Sequence, residues 1–133
     1  MHDRPPFSIV AIMGIAVLVF AMRPTETGLA ENARDFGAIP VKIYDAAQGL
    51  LAGEGDSGAA RELSRLVTAI FIHGDFEHLL LNMIMLWPFG VLAARYLGDL
   101  TVVMLVLLTG IAGNVVQAGF NVQSPIPIVG ASG

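Results

Sequence analysis

The sequence predicts an all-α membrane protein, a bundle of helices that crosses a lipid bilayer several times. Of its 133 residues, 55% are hydrophobic and only 14% are charged, whereas a soluble domain has roughly 25% charged residues. The mean hydropathy is correspondingly high, at +0.71. The apolar residues are also gathered in three long runs, each near the ~20 residues that a helix needs to cross a bilayer.

The composition excludes several classes of function. Because the chain has no cysteine, it has no disulfide framework and no cysteine-based metal site. The histidines and carboxylates do not show the spacing of metal ligands, so we expect no metal and no other cofactor. A net charge of −4 gives no sign of a nucleic-acid partner. The lipid bilayer is the expected surrounding, and the oligomeric state is not indicated.

The first predicted helix covers residues 7–22, an apolar run that ends at Arg23-Pro24. It is slightly short for a span, but a tilted helix in a locally thinned bilayer tolerates such a mismatch. A cleaved signal peptide is the alternative. The leader at residues 1–4 has no net positive charge, and no small-x-small cleavage site follows, so we favour an uncleaved transmembrane helix. Since no organelle presequence precedes it, we expect a multi-pass protein of a prokaryotic cell membrane.

A polar first loop is predicted at residues 23–76, where most of the charged residues lie. The stretch at residues 53–58 is rich in glycine and predicts a turn. A short interfacial helix is expected from Val41 to Leu51, with Val41, Tyr44 and Leu51 on its apolar side. A second short helix is expected from Ala59 to Phe71. Loops of this length are often functional.

The second span is predicted at residues 77–97. Asp75 is suited to cap its first turn, where Glu77 also favours the helix dipole. Gly98 is expected to end the helix in a left-handed conformation. Pro88 lies in the interior, which membrane helices tolerate when neighbouring groups satisfy the freed carbonyl.

The third span is predicted at residues 100–120, with small residues in its second half that allow close helix packing. Pro125 and Pro127 hold the following loop extended. Residues 130–133 would open a fourth span, so that residues 1–133 form one partial membrane domain. Three spans place the two termini on opposite sides, but the charges do not specify which side is which.

Two polar side chains on the second span are candidates for chemistry. His78 and Asn82 are four residues apart and therefore share one helical face. Together they can donate hydrogen bonds to one anionic oxygen, as in an oxyanion hole, or they can be a structural pair that ties two helices together. Spacing alone leaves both interpretations open. His73 precedes the helix and is expected at the water interface as a structural hydrogen bonder, and Arg65 is expected to pair with Glu62 or a backbone carbonyl.

Ser132 is the candidate nucleophile. Its small neighbours Gly130, Ala131 and Gly133 leave the hydroxyl uncrowded, and a helix start offers unpaired amides to a developing negative charge. The Gly-x-Ser-Gly string is weak by itself. The Gly-x-Ser-x-Gly elbow of soluble α/β-hydrolases is not matched.

These motifs carry a resemblance to a known family. The stretch RLVTAIFIHGDFEHLLLNM, at residues 65–83, closely resembles the second-helix region of rhomboid intramembrane serine proteases. The stretch PIVGASG, at residues 127–133, resembles their nucleophile motif at the start of helix four. Residues 36–40 and 87–90 fit weaker patterns of the family.

The resemblance implies a core of six or seven helices and a serine–histidine dyad that cleaves peptide bonds in or near transmembrane segments of membrane proteins. It implies that Ser132 is the nucleophile and that His78 and Asn82 hold the oxyanion with the Ser132 amide. The first loop would be partly membrane-inserted on the extracytoplasmic side. Supporting positions would be His73, Gly130 and Gly133.

The family's general base is a histidine on helix six, and no histidine follows His78 in this sequence. We therefore expect residues 1–133 alone to be inactive and to be the N-terminal portion of a longer protease. Ser64 and Ala94 depart from the family's usual tryptophan and glutamate. Two alternatives stay open: a catalytically inactive rhomboid-like protein that binds membrane clients, and a small structural membrane protein that bears the motifs by coincidence.

Overall fold

The computed structural model describes residues 5–22, 25–54 and 57–131, and these residues confirm the all-α class. They form six α-helices: α1 (Phe7–Met22), α2 (Glu26–Phe36), α3 (Pro40–Leu51), α4 (Ser57–Thr68), α5 (Phe76–Leu97) and α6 (Asp99–Phe120). A 3₁₀ turn at Ala69–Phe71 continues from α4. Within the described ranges, β pairing is limited to an isolated antiparallel bridge between Ala38 and Ile128.

Helices α5 and α6 are both long and apolar enough to cross a membrane. Each has 22 residues, which at 1.5 Å per residue gives about 33 Å, against a hydrocarbon core of about 30 Å. Only 11% of the most apolar window of each helix is buried in the protein. Helix α1 is apolar but has 16 residues, so its crossing stays a prediction.

The boundaries of α5 and α6 lie within one residue of those predicted. The Asp75 carboxylate accepts a hydrogen bond from the His78 amide at 2.7 Å, which confirms the expected N-cap. Pro88 lies inside an α5 that continues to Leu97. Gly98 ends α5 with a positive φ of 87°, as predicted, although its ψ of 156° lies outside the left-handed helical range. The chain must change direction at this one residue, since α6 begins immediately after it.

Helix α1 packs against α5 and α6 through buried apolar side chains. Ile9 has no exposed surface and forms a cluster with Ala94 of α5 and Val102 of α6. A Cβ built on Gly90 would lie 2.5 Å from Cδ1 of Ile9, so α5 approaches α1 closely at this glycine. At the first turn of α1, the Ser8 amide donates to the Asp99 carboxylate at 2.9 Å.

The first loop contains three α-helices in its described part, one more than predicted. The helix that the sequence did not reveal is α2, whose N-cap Thr25 accepts a hydrogen bond from the Gly28 amide at 3.1 Å. Helix α3 and the α4–3₁₀ segment confirm the two predicted short helices. The buried face of α3 carries Pro40, Ile43 and Ala46, whereas the predicted apolar side faces outward, with Tyr44 and Leu51 exposed.

A second cluster joins the first loop to α6 and to the segment after α6. Its buried members are Ala38, Ile43, Ala69, Ala118 and Ile128. It brings together parts of the chain that are up to 90 residues apart in the sequence, from Ala38 to Ile128. The fold therefore packs the first loop against the residues that precede the predicted nucleophile.

Candidate functional site

His78 and Asn82 lie in the first two turns of α5, on the same face of the helix, as their spacing predicts. The backbone of Gly130 lies against both side chains. A Cβ built on Gly130 would overlap Nε2 of His78 and would lie 3.5 Å from Nδ2 of Asn82. The structure thus places the main chain that leads to Ser132 in contact with the imidazole and the carboxamide.

The position of Gly130 is fixed by its backbone conformation and by a hydrogen bond. Its φ is +98°, a backbone conformation that residues other than glycine rarely adopt. Its amide donates to the carbonyl of Ala69 at 2.9 Å. The 3₁₀ turn at residues 69–71 therefore holds Gly130 against α5.

Asn82 carries a buried hydrogen-bond donor that the described residues leave unpaired. Its Nδ2 atom is shielded from solvent and has no hydrogen-bond partner among the residues that the structure describes. Leaving a buried donor unpaired costs about 1–3 kcal/mol, so such groups in native proteins call for an explanation. The amide is poised to donate to a group that arrives at Gly130.

His73 is buried, with 2% of its surface exposed, so the expectation that it lies at the water interface was wrong. The 3₁₀ turn directs the chain inward, and Ile70 and Ile72 are buried on either side of the same bend. The expected structural hydrogen bond is present, because Nδ1 of His73 lies 3.3 Å from the Phe71 carbonyl. Its ring meets the His78 ring edge-on, with centroids 5.1 Å apart.

The surroundings of His73 keep it neutral at physiological pH. Burial, followed by the nearby His78, lowers the pKa of His73 from 6.5 to about 4, although the Phe71 carbonyl and Asp75 oppose the shift. With the Nδ1 proton directed to the Phe71 carbonyl, Nε2 is an acceptor. That Nε2 atom is buried and has no hydrogen-bond partner within the described ranges.

Four predicted site residues therefore come together: His73, His78, Asn82 and Gly130. Ser132 and Gly133 lie outside the described residues, as does the predicted start of helix four beyond Ala131. Among the residues placed by the structure, no group of three or more potential ligands is arranged to hold a metal ion.

Three residues of the site were missed by sequence reasoning. Ala38 and Ile128 exchange backbone hydrogen bonds, and Ala69 accepts one from Gly130. All of these bonds use main-chain atoms, and the side chains involved are ordinary buried apolar groups. The three residues lie in stretches that carry the family resemblance, but nothing in the sequence assigns them a role in the site.

The Arg65 interaction confirms the predicted pairing. Its Nη1 atom donates to the Arg34 carbonyl at 2.7 Å, with the Gly37 carbonyl at 3.5 Å. Its Nε atom lies 3.1 Å from the Glu62 carboxylate. Arg65 thus binds both of the partner types that were expected.

Comparison with known proteins identifies a family that this chain resembles. Residues 60–133 match the Rhomboid domain family. The chain is similar to RHOMBOID-like protein 5 of Arabidopsis thaliana, with 35% identity over 69 residues, which are 52% of this chain and 22% of that protein. The match thus spans about a fifth of the length of that curated relative. No solved structure matches.

The family match covers more than half of the chain and includes most of α4, all of α5 and α6, and the segment that ends in the Gly-Ala-Ser-Gly motif. This range contains His73, His78, Asn82 and Gly130, the residues that the fold brings together. The chain belongs to the rhomboid family.

Proposed function

We propose that this protein is an intramembrane serine endopeptidase that hydrolyses peptide bonds in or near transmembrane segments of membrane proteins. The observation that carries the proposal is the contact of the Gly130 backbone with the His78 imidazole and the Asn82 carboxamide. Ser132 follows Gly130 by two residues in the sequence. Family membership supports the same chemistry.

In the proposed reaction, the Ser132 hydroxyl attacks the carbonyl carbon of the scissile peptide bond. The carbonyl oxygen becomes an oxyanion, which accepts hydrogen bonds from Nδ2 of Asn82 and from His78 with its proton on Nε2. Donors that are already in place need no reorganisation when the charge develops. The Nδ2 atom of Asn82, which has no partner among the residues that the structure describes, is such a donor.

The proton of the Ser132 hydroxyl must pass to a general base and then to the leaving amine, after which water releases the acyl group. The resemblance assigns this base to a histidine on a later helix. His78 does not fit that role, because it is assigned to the oxyanion. His73 does not fit either, because its pKa of about 4 makes it a poor proton acceptor near pH 7.

The test uses the whole gene product, reconstituted in liposomes with a substrate that contains a transmembrane segment. We expect Ser132→Ala to abolish cleavage. Asn82→Ala should lower kcat by about 100- to 1000-fold with little change in KM, as for the loss of one oxyanion donor. The matched control is Asn121→Ala, which removes a carboxamide at the far end of α6 and should leave kcat unchanged.

Wild-type cleavage by Ser132→Ala, or an unchanged kcat in Asn82→Ala, would reject the proposal. If the unmodified protein neither cleaves such substrates nor reacts with a fluorophosphonate probe but is cross-linked to membrane clients, the inactive client-binding relative is the correct assignment.

A further inference from the structure

The first loop forms a direct backbone contact with the segment that precedes the candidate nucleophile. The Ala38 amide donates to the Ile128 carbonyl at 3.0 Å, and the Ile128 amide donates to the Ala38 carbonyl at 2.8 Å. A further bond joins the Val41 amide to the Ser124 carbonyl at 3.2 Å. Ala38 and Ile128 are both buried, with 0% and 7% of their surfaces exposed. The contact is therefore an antiparallel pair inside the protein and not a surface encounter.

The Ala38–Ile128 pair lies close to the candidate site in the sequence. Two residues after Ile128, the Gly130 amide is held by Ala69 at 2.9 Å, and the Gly130 backbone touches His78 and Asn82. The first loop also approaches this segment closely at Gly37, because a Cβ built there would lie 3.0 Å from Cβ of Pro127 and 3.1 Å from Cγ1 of Val129. Little space remains for the segment to shift relative to the loop.

On the other side of the pair, the loop is anchored by α4. Arg65 is buried, with 5% of its surface exposed, and its guanidinium binds the Arg34 and Gly37 carbonyls at the end of α2. The Thr68 hydroxyl donates to the Phe36 carbonyl at 2.6 Å. These three carbonyls lie within the four residues before Ala38. A helix end has unpaired carbonyls, and here two side chains of α4 use them to fix the strand partner of Ile128.

We propose that Arg65 is a positioning residue that acts through the Ala38–Ile128 pair. It holds Gly130, two residues before Ser132 in the sequence, in register with His78 and Asn82, and the pair stays closed throughout turnover. This inference rests on the proposed protease function. It goes further by assigning to the first loop the alignment of the nucleophile segment with the oxyanion donors.

The first experiment locks the pair. Because the chain has no cysteine, the variant with Ala38→Cys and Ile128→Cys can form a single disulfide. Residues that exchange both hydrogen bonds in an antiparallel pair have Cα atoms about 5.5 Å apart, which is within the range of a disulfide. We measure kcat for each site labelled by a fluorophosphonate probe, in the oxidised and the reduced forms of the whole gene product. The single-cysteine variants are the controls.

We expect the oxidised enzyme to keep kcat within about twofold of its reduced form, because a closed pair is the working state. If the loop must detach from the segment during catalysis, oxidation will lower kcat at least tenfold and a reductant will restore it. That result would overturn the proposal.

The second experiment tests Arg65. We expect Arg65→Ala to lower kcat per labelled site about tenfold or more, with KM changed less than twofold, and Arg65→Lys to recover part of the loss. In the disulfide-locked background, Arg65→Ala should lose no more than about threefold. The matched control is Arg61→Ala, since Arg61 is an exposed arginine on the same helix, and it should behave as the wild type.

If the locked background does not restore Arg65→Ala, or if only KM changes, Arg65 does not act through the pair. The two proposals fail in different ways. A wild-type protein that cleaves no better than Ser132→Ala rejects the protease function. An active wild type, together with a double-cysteine variant that oxidation inactivates, rejects only this inference.

Discussion

At the scale of single residues, Gly130 combines two requirements that sequence alone does not reveal. Its positive φ favours glycine, and its backbone lies where a methyl group would meet the His78 ring. The pairing of His78 with Asn82 could be predicted, because a spacing of four residues places two side chains on one helical face. The approach of Gly130 could not, because it depends on backbone bonds to residues far away in the sequence. The nucleophile stays a prediction from the motif.

The first prediction concerns Gly130→Ala. The methyl group must displace the His78 imidazole, and the backbone strain adds about 1–2 kcal/mol. We expect kcat in the liposome assay to fall about 100-fold, which is the size of effect seen when one oxyanion donor is lost.

The control is Gly53→Ala. Gly53 also has a positive φ, of 78°, but a Cβ there has no neighbour within 4 Å. The same backbone strain should lower stability by a similar amount and leave kcat per labelled site unchanged. Equal losses of kcat in the two variants would show that backbone strain, and not the contact with His78, is responsible.

The second prediction concerns pH. The folded protein holds the pKa of His73 at about 4, below its ordinary value of 6.5, so below pH 6.5 the unfolded chain binds the proton and the folded protein does not. Stability is therefore lost as the pH falls from 6.5 towards 4. Between pH 7.5 and 5.5 we expect the free energy of unfolding to fall by about 1 kcal/mol from this residue.

The measurement is detergent-induced unfolding of the wild type and of His73→Gln at both pH values. The variant should lack this part of the pH dependence. An identical pH dependence in the two proteins would mean that His73 does not carry the effect.

At the scale of helices, local sequence signals were enough to predict the helix bounds where the apolar runs are long. The bounds of α5 and α6 follow from their apolar runs, the Asp75 cap and the break at Gly98. Helix α2 was not predicted, because residues 26–36 are polar on average and include Gly28. Its end is held by Arg65, 31 residues further along the chain. An interaction between residues so far apart leaves no local sequence pattern from which α2 could be predicted.

A third prediction concerns the contact between α6 and the 3₁₀ turn. A Cβ built on Gly110 would lie 2.5 Å from Cδ1 and 2.8 Å from Cγ1 of Ile70. Alanine raises helix propensity by about 1 kcal/mol over glycine, but overpacking costs about 1–3 kcal/mol. We expect Gly110→Ala to destabilise the wild-type protein by about 1 kcal/mol. In the Ile70→Ala background, where the overlapping side chain is removed, the same change should raise the stability relative to Ile70→Ala alone.

Gly119→Ala is the control, since Gly119 also lies on α6 and a Cβ there meets nothing within 4 Å. It should be neutral or stabilising in the same unfolding measurement. If Gly110→Ala is equally harmless in the wild-type background, the close packing of the 3₁₀ turn on α6 is not a source of stability.

At the scale of the whole molecule, the outward faces of α5 and α6 are apolar. The exposed apolar side chains there include Leu81, Ile84, Leu92, Leu108 and Val116. Apolar surface of this extent indicates contact with lipid or with further helices. The composition of the sequence was sufficient to predict this property, because it depends on the sum of many residues and not on any one contact. A multi-pass location in which α1 forms a third span stays a prediction.

The fourth prediction separates lipid-facing from water-facing exposure. Leu108 lies near the centre of α6 and is 58% exposed, and Leu51 at the end of α3 is 83% exposed. If α6 crosses the bilayer, Leu108→Arg places a charge at its centre and should reduce membrane insertion by about 2.5–3.5 kcal/mol. We expect Leu51→Arg to have little effect. The ratio of inserted to non-inserted protein in microsomes measures both variants, and equal ratios would contradict the assignment of α6 as a span.

The hydrogen bond from the Ser8 amide to the Asp99 carboxylate, at 2.9 Å, has a consequence for biogenesis. Helix α1 leaves the ribosome before α5 and α6, and the group that satisfies this amide is synthesised 91 residues later. During translation, this hydrogen bond therefore cannot form until the turn between α5 and α6 has been synthesised. The contact of α1 with the α5–α6 turn is then completed late in assembly, although α1 is synthesised before both of these helices.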